Sequence, residues 1–262
     1  MPISFIPIAE EDCWSGTTWT VDDEDKLAEL VARVAIGQAR VVERTLRATD
    51  ALAQGYPKGG FEGARELLSV KSGQDTYHRD GWVFQVISWV AAHLSYRNAQ
   101  IRAPQMLKAD KGLDGLLIEF DNDELARVVI CEEKATEHPR QKIQSAVWPE
   151  FEIFEAGARD NELVASITSL LERSNCSDPD SVVANILWQD KRAYRVSVTV
   201  GKGHSTVAGR KRLFEHYDEK VHGNISRRRA ETLYLADMRG WIAAISEKAI
   251  LAINTAEENN DV

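Results

Sequence analysis

The order of apolar and polar residues predicts two adjacent strands in the middle of the chain. The first spans Leu113–Phe120, and a short polar turn at residues 121–123 leads into the second, Arg127–Ala135. Val128–Cys131, within the second strand, is apolar on both faces, which is typical of a central strand. The pattern therefore predicts a β-hairpin whose second strand is buried.

The spacing of apolar residues predicts most of the remaining elements. Helices are expected at Asp22–Arg47, Phe61–Val70, His78–Ser95, Arg140–Ala156, Asn161–Arg173 and Tyr234–Ile253. Strands are expected at Ser181–Trp188 and Tyr194–Val200, a loop or short edge strand at Ile101–Lys111, and irregular chain at residues 1–20. Together, these helices and strands predict an α/β fold in which helices flank a central mixed sheet. Residues 1–75 would form an N-terminal helical region packed on a core of residues 76–262.

Three charged residues interrupt the apolar pattern of the second hairpin strand. Glu132, Glu133 and Lys134 directly follow Cys131. Because side chains alternate along a strand, Glu132 and Lys134 share one face and Glu133 points to the other. A tight hairpin brings Asp114 beside the face of Glu132 and Lys134. The alternative interpretation is a surface hairpin that ends in a solvated run of charge.

Two converging carboxylates repel each other unless a cation lies between them. Asp114 and Glu132 would therefore suit Mg²⁺, with Mn²⁺ as a substitute, because hard divalent ions take oxygen ligands and keep several waters. Lys134 would lie beside the metal, where it could orient or deprotonate a water or stabilise charge on a phosphate oxygen.

At these residues the chain resembles the PD-(D/E)xK nuclease superfamily, which has the restriction-endonuclease-like fold. The family pattern is an acidic residue on one strand, then Glu or Asp, any residue, and Lys on the next. Here it reads Asp114 and Glu132-Glu133-Lys134, with Leu113 in place of the family's proline. The resemblance covers roughly residues 81–157. It implies a Mg²⁺-dependent nuclease that hydrolyses DNA, with the backbone carbonyl of Glu133 as a further metal ligand.

The same resemblance points to residues on the flanking helices. A helix before the hairpin often brings an acidic or amide side chain to the metal, which here would be Gln85 or Asp80. The helix after the hairpin often carries glutamine or basic residues toward the site, here Lys142 and Gln144. For Gln85, Lys142 and Gln144 alike, an ordinary polar helix position is the competing interpretation, and for Asp80 it is a helix N-cap.

The formal net charge of −9 over 262 residues is unusual for a protein that binds nucleic acid unaided. Residues 201–229 differ, because they hold eight lysines and arginines against three acids and contain several glycines. This basic segment would contact the phosphate backbone, through Lys202, Arg210, Lys211, Arg212, Arg227, Arg228 and Arg229. A solvated loop or a surface for an acidic partner is the alternative.

Other classes of function lack their motifs. The histidines and the three cysteines have no zinc spacing, and Gly201–Ser205 lacks the spacing of a phosphate loop. No signal peptide or membrane span is evident, so we expect a cytoplasmic protein with reduced thiols. By analogy it could be the effector of a repair or anti-phage defence complex, with a helicase or ATPase partner as in the Hachiman type. The rivals are a catalytically inactive nucleic-acid-binding or scaffold subunit and a hydrolase of another phosphate substrate.

Overall fold

In the part of the chain that the structure describes, seven strands form one mixed sheet in the order β1-β2-β7-β6-β5-β4-β3. They are β1 Ile3–Glu10, β2 Trp14–Val21, β3 Gln100–Ile101, β4 Gly115–Asp121, β5 Glu124–Lys134, β6 Arg192–Val200 and β7 Arg228–Tyr234. The computed structural model describes residues 1–47, 55–106, 113–121, 124–173, 178–180, 182–184 and 191–260. Strands β4 and β5 pair antiparallel, whereas β5, β6 and β7 run parallel. The carboxyl ends of these three strands therefore lie at one edge of the sheet.

Helices cover both faces of the sheet, which confirms the predicted α/β class. One face is covered by α1 Glu24–Ala35, α2 Ala39–Arg47, α3 Phe61–Leu68, α4 Tyr77–Ser95 and α10 Met238–Asn260. The other is covered by α5 Pro139–Lys142, α6 Trp148–Glu155, α7 Asp160–Arg173, α8 Val207–Leu213 and α9 Tyr217–Lys220. Alternation along β5 divides the two cores, with Val129 and Cys131 in the first and Val128 and Ile130 in the second. The face of the sheet covered by α4 is called the α4 face below, and the face covered by α6 is called the α6 face.

A π-helical turn, Ile143–Val147, joins α5 to α6, so the single predicted helix is interrupted. Pro149 explains the interruption. Without an amide hydrogen it cannot bond the carbonyl four residues earlier, and its ring crowds that carbonyl. Trp148 instead bonds the carbonyl of Ile143, five residues back. π-Helical turns occur frequently at functional sites, and this one lies shortly after the charged end of β5.

Several of the predicted helices, strands and irregular segments were wrong. Residues 1–20 are not irregular, because most of them form the hairpin β1–β2, which joins the sheet through β7. Residues 182–184 are helical rather than extended, and the predicted helix 22–47 breaks at Gly37, whose φ is +88°. Tyr234 ends β7 rather than starting a helix. The sheet thus includes strands from both sides of the predicted boundary at residue 75.

Some predicted segments lie outside the described residues. These are positions 122–123 of the hairpin turn, 107–111 of the loop before it, and 181 and 185–188 of the predicted strand.

In the described part of the chain, no helix combines the length and apolar character needed to cross a membrane.

A buried histidine gives this fold a defined sensitivity to acid. His93 in α4 is 1% exposed and packs edge-on against Trp89, and neither ring nitrogen has a partner among the described residues. Burial, with a smaller contribution from Arg47, lowers the pKa of His93 to about 3. The pKa of His93 is lower in the folded protein than in the unfolded chain, so protons bind preferentially to the unfolded chain as the pH falls. The unfolding free energy is therefore unaffected by His93 above pH ~6.5 and decreases as the pH falls from there toward 3.

Replacement His93→Leu is therefore expected to flatten the pH dependence of stability. Between pH 7 and pH 5 the native protein should lose about 2 kcal/mol of unfolding free energy more than the variant. Urea unfolding at both pH values measures this difference. His138→Gln, which changes an exposed histidine, is the control and should retain the native slope. Equal slopes for His93→Leu and the native protein would refute the assignment.

Candidate active site

The hairpin β4–β5 brings Asp114, Glu132 and Lys134 together at the end of the sheet. Gly115 pairs with Cys131, so the preceding residue, Asp114, lies opposite Glu132. The Lys134 Nζ lies 2.5 Å from Asp114 Oδ2 and 2.6 Å from Glu132 Oε2. The three side chains share the α6 face, as strand alternation requires. An ammonium group thus occupies the position between the two carboxylates.

Burial and charge set the protonation of this group. Burial raises the pKa of Glu132 to about 8, although the nearby Lys134 ammonium opposes the rise. Burial disfavours the charge on Lys134, but the carboxylates of Glu132 and Asp114 outweigh it and raise the pKa of Lys134. The lysine therefore stays protonated, yet its single charge does not fully stabilise the Glu132 carboxylate.

The three side chains of the site differ in their exposure to solvent. The Glu132 side chain is 7% exposed, that of Lys134 18% and that of Asp114 28%. A ligand would therefore reach Asp114 first, with Glu132 forming the floor.

Asp114 is fixed by several hydrogen bonds. Gln85 in α4 donates its side-chain amide to the Asp114 carbonyl oxygen at 2.5 Å, and the Glu133 amide lies 3.4 Å from Asp114 Oδ2. The Arg102 guanidinium donates to the carbonyl of the neighbouring Leu113. Of the predicted neighbours of the site, Gln85 is the one that touches it, and it holds the backbone rather than a side chain.

On the α4 face, Glu133 belongs to a buried ionic network that sequence reasoning missed. Its carboxylate contacts Ser88 Oγ at 3.2 Å and Arg195 Nη1 at 3.4 Å. Arg195, which is 1% exposed, also bonds Glu231 Oε2 at 2.5 Å. Tyr96 donates its hydroxyl to Glu231 at 3.0 Å. Burial raises the pKa of Glu133 to about 7, while Arg195 opposes the rise.

The two faces together form one connected charge group with an excess of acid. Asp114, Glu132, Glu133 and Glu231 supply four carboxylates, and Lys134 and Arg195 supply two cations. When all are ionised, the group carries two more negative than positive charges. A divalent cation at its exposed side would neutralise that excess.

The donor set fits Mg²⁺. Among the described residues no three His, Cys, Asp or Glu side chains are arranged to hold a metal. Mg²⁺ does not need such a cage, because it commonly binds through one or two carboxylates and keeps its other positions for water and phosphate. Asp114 and Glu132 would hold it. Since Lys134 bonds both carboxylates, the ammonium has to release at least one of them when the ion binds.

The other predicted neighbours of the site are occupied elsewhere or exposed. Asp80 is buried and bonds Arg79 and Thr76 at the start of α4. Lys142 and Gln144 are exposed, and Gln144 lies against the Arg140 guanidinium. Within the described residues, neither hydrogen-bonds to Asp114, Glu132 or Lys134.

The predicted basic segment is ordered, and its cations divide into two groups. Arg227, Arg228 and Arg229 are held inside the protein, so they are structural residues rather than phosphate contacts. Arg228 is 3% exposed and donates to four backbone carbonyls, and Arg227 and Arg229 form bidentate pairs with Glu155 and Glu119.

The remaining predicted cations lie at or near the surface, on or just before α8. Lys202, Lys211 and Arg212 are exposed. Lys211 pairs with Glu10, and Arg210 is half-buried and bonds the Ser205 carbonyl. Lys202 makes no side-chain bond in the described part of the chain. Lys202 and Arg212 are therefore the cations of this segment most available to a ligand.

Comparison with protein-family models, curated proteins and solved structures finds no match to this chain.

Proposed function

We propose that this chain is a metal-dependent nuclease of the PD-(D/E)xK type that hydrolyses phosphodiester bonds in DNA. One observation carries the proposal: Lys134 Nζ lies within 2.6 Å of two carboxylates from neighbouring strands. The order of helix α4, hairpin β4–β5 and helix α5 supports a restriction-endonuclease-like core.

Each residue of the site has a distinct part in the proposed reaction. Asp114 and Glu132 hold Mg²⁺ or Mn²⁺, which when bound lowers the pKa of a water and polarises the scissile phosphate. Lys134, released from one carboxylate, orients the attacking water and offsets negative charge on the phosphate. Gln85 keeps the Asp114 backbone in place. The nearly closed position of Glu132 limits the access of bulk water.

The charge distribution favours action with a partner. A net charge of −9 opposes approach to DNA, and Arg227–Arg229 are engaged internally. A helicase or ATPase subunit in a repair or defence complex would strengthen the binding of this chain to DNA, in the cytoplasm.

One observation favours the rival, an inactive nucleic-acid-binding or scaffold subunit. A lysine bonded to both carboxylates is also what a purely structural ion pair looks like. Plasmid and single-stranded DNA incubated with Mg²⁺, Mn²⁺ or EDTA separate the two functions. We expect cleavage that needs the metal and is lost in the double variant Glu132→Ala/Lys134→Ala.

The double variant must be shown to fold by its thermal unfolding. Cleavage that survives both substitutions would place the active site elsewhere. An intact substrate together with no Mn²⁺ binding by the native chain would favour the inactive subunit.

A further inference from the structure

An exposed aromatic ring lies on the same face of the sheet as the candidate site. Lys134 pairs with Val198, and Val198 with Thr232; two residues further on, Val200 pairs with Tyr234. Paired residues of neighbouring strands point to the same face, so Tyr234 shares the α6 face with Lys134. Two strand spacings and two residues separate them, or about 10 Å across the strands and about 7 Å along them.

Tyr234 differs from its neighbours in β7. The residue is 45% exposed, whereas Ala230 and Thr232 on the same face are fully buried. Its hydroxyl makes no hydrogen bond within the described residues. The ring is therefore held by a rigid strand while much of its surface remains open to a ligand.

An exposed cation lies shortly after the strand that separates β5 from β7. Lys202 is the second residue after β6, the strand between β5 and β7, and its side chain is exposed. The loop that carries it is tightly built. A Cβ at Gly209 would lie only 2.3 Å from the Gly203 carbonyl oxygen, and Ser205 and His204 bond the Lys202 and Gly209 carbonyls.

We propose that the site takes single-stranded DNA, with one base stacked on Tyr234 and an intervening phosphate on Lys202. A duplex keeps the faces of its bases inside the stack, whereas an unpaired strand offers them to aromatic side chains. The separation of Tyr234 from Lys134, about 12 Å, is on the order of two nucleotides of an extended strand. This proposal rests on the proposed function, because it deepens the substrate class of that same site.

Binding measured without turnover tests the proposal. A fluorescent single-stranded 20-mer and the matching duplex are titrated in EDTA by anisotropy, at two salt concentrations. We expect the native chain to prefer the single strand. Tyr234→Ala should weaken single-strand binding about tenfold, and Tyr234→Phe, which keeps the ring, should bind as the native chain does. Lys202→Gln should weaken binding and lower its salt dependence.

Tyr77→Ala is the matched control. Tyr77 is 56% exposed and begins α4, on the other face of the sheet, so its loss should leave binding unchanged. Equal binding of duplex and single strand, no binding of either, or native affinity in Tyr234→Ala would overturn the proposal. The outcomes separate it from the nuclease assignment. Binding that depends on Tyr234, without metal-dependent cleavage, would refute only the nuclease assignment. Metal-dependent cleavage that does not change in Tyr234→Ala would refute only the role of Tyr234 in binding single-stranded DNA.

Discussion

Replacing Lys134 by methionine is expected to lower the kcat of DNA cleavage by about a thousandfold. Methionine fills a similar volume but can neither orient a water nor offset charge on the phosphate. The same change removes the ammonium that bonds Asp114 and Glu132, so Mn²⁺ should bind at least as tightly as in the native chain. Steady-state kinetics and a Mn²⁺ titration measure the two effects.

The opposite signs of these effects distinguish a catalytic lysine from a structural one. Lys142→Met, at an exposed lysine of α5, should change neither property. Asp114→Asn should reduce both cleavage and Mn²⁺ affinity, because it removes a ligand. Native kcat in Lys134→Met would remove the lysine from the reaction.

The second large effect is on stability and concerns the α4 face. Arg195→Met should lower the unfolding free energy by about 3–5 kcal/mol, because it leaves buried carboxylates without their cation. Arg195 bonds Glu133 and Glu231, and all three are at most 9% exposed. Denaturant unfolding at pH 7.5 measures the change.

Two further variants define the cause. Arg239→Met removes a surface arginine whose side chain is 46% exposed and contacts Glu137. The arginine also lies 3.7 Å from the buried Asp80, which keeps its pair with Arg79, so the change should cost at most about 1 kcal/mol. Adding Glu133→Gln and Glu231→Gln to Arg195→Met should restore part of the lost stability, since neutral amides cost less to bury unpaired. A loss below about 1 kcal/mol for Arg195→Met alone would show that the network does not stabilise the fold.

The meeting of Asp114, Glu132 and Lys134 was predictable because it depends on local rules. Strand alternation and a short hairpin are enough to place two carboxylates and a lysine on one face. Gln85 was a weaker prediction, since a helix position does not reveal whether a side chain reaches a ligand or a backbone carbonyl.

The buried network was not predictable from local pattern. Arg195 and Glu231 lie on strands that pair with each other but are 36 residues apart in sequence. A charged residue in a strand usually indicates an exposed position, and only pairing across the sheet shows that these two neutralise each other. The alternation of Arg195 with apolar residues in β6 was the available signal.

Strands β1, β2 and β7 were missed for the same reason, because the residues that they contact are distant in sequence. The consecutive arginines at the start of β7 were predicted to contact the phosphate backbone, yet Arg228 donates to the carbonyls of Asp12 and Cys13 more than 200 residues away. Gly16 in β2 packs on the backbone of Ala230, where a Cβ would lie 1.9 Å from the carbonyl oxygen. Such contacts become visible only when distant strands are paired.

A divalent ion held between Asp114 and Glu132 is what the proposed cleavage requires first, and a crystal soaked in Mn²⁺ tests directly whether the ion binds there. We expect anomalous density within ligand distance of both carboxylates, with Lys134 released from at least one of them. The crystal should be soaked at a Mn²⁺ concentration that supports cleavage in solution. If no Mn²⁺ is then found at this position and Lys134 still bonds both carboxylates, the proposed metal site is contradicted.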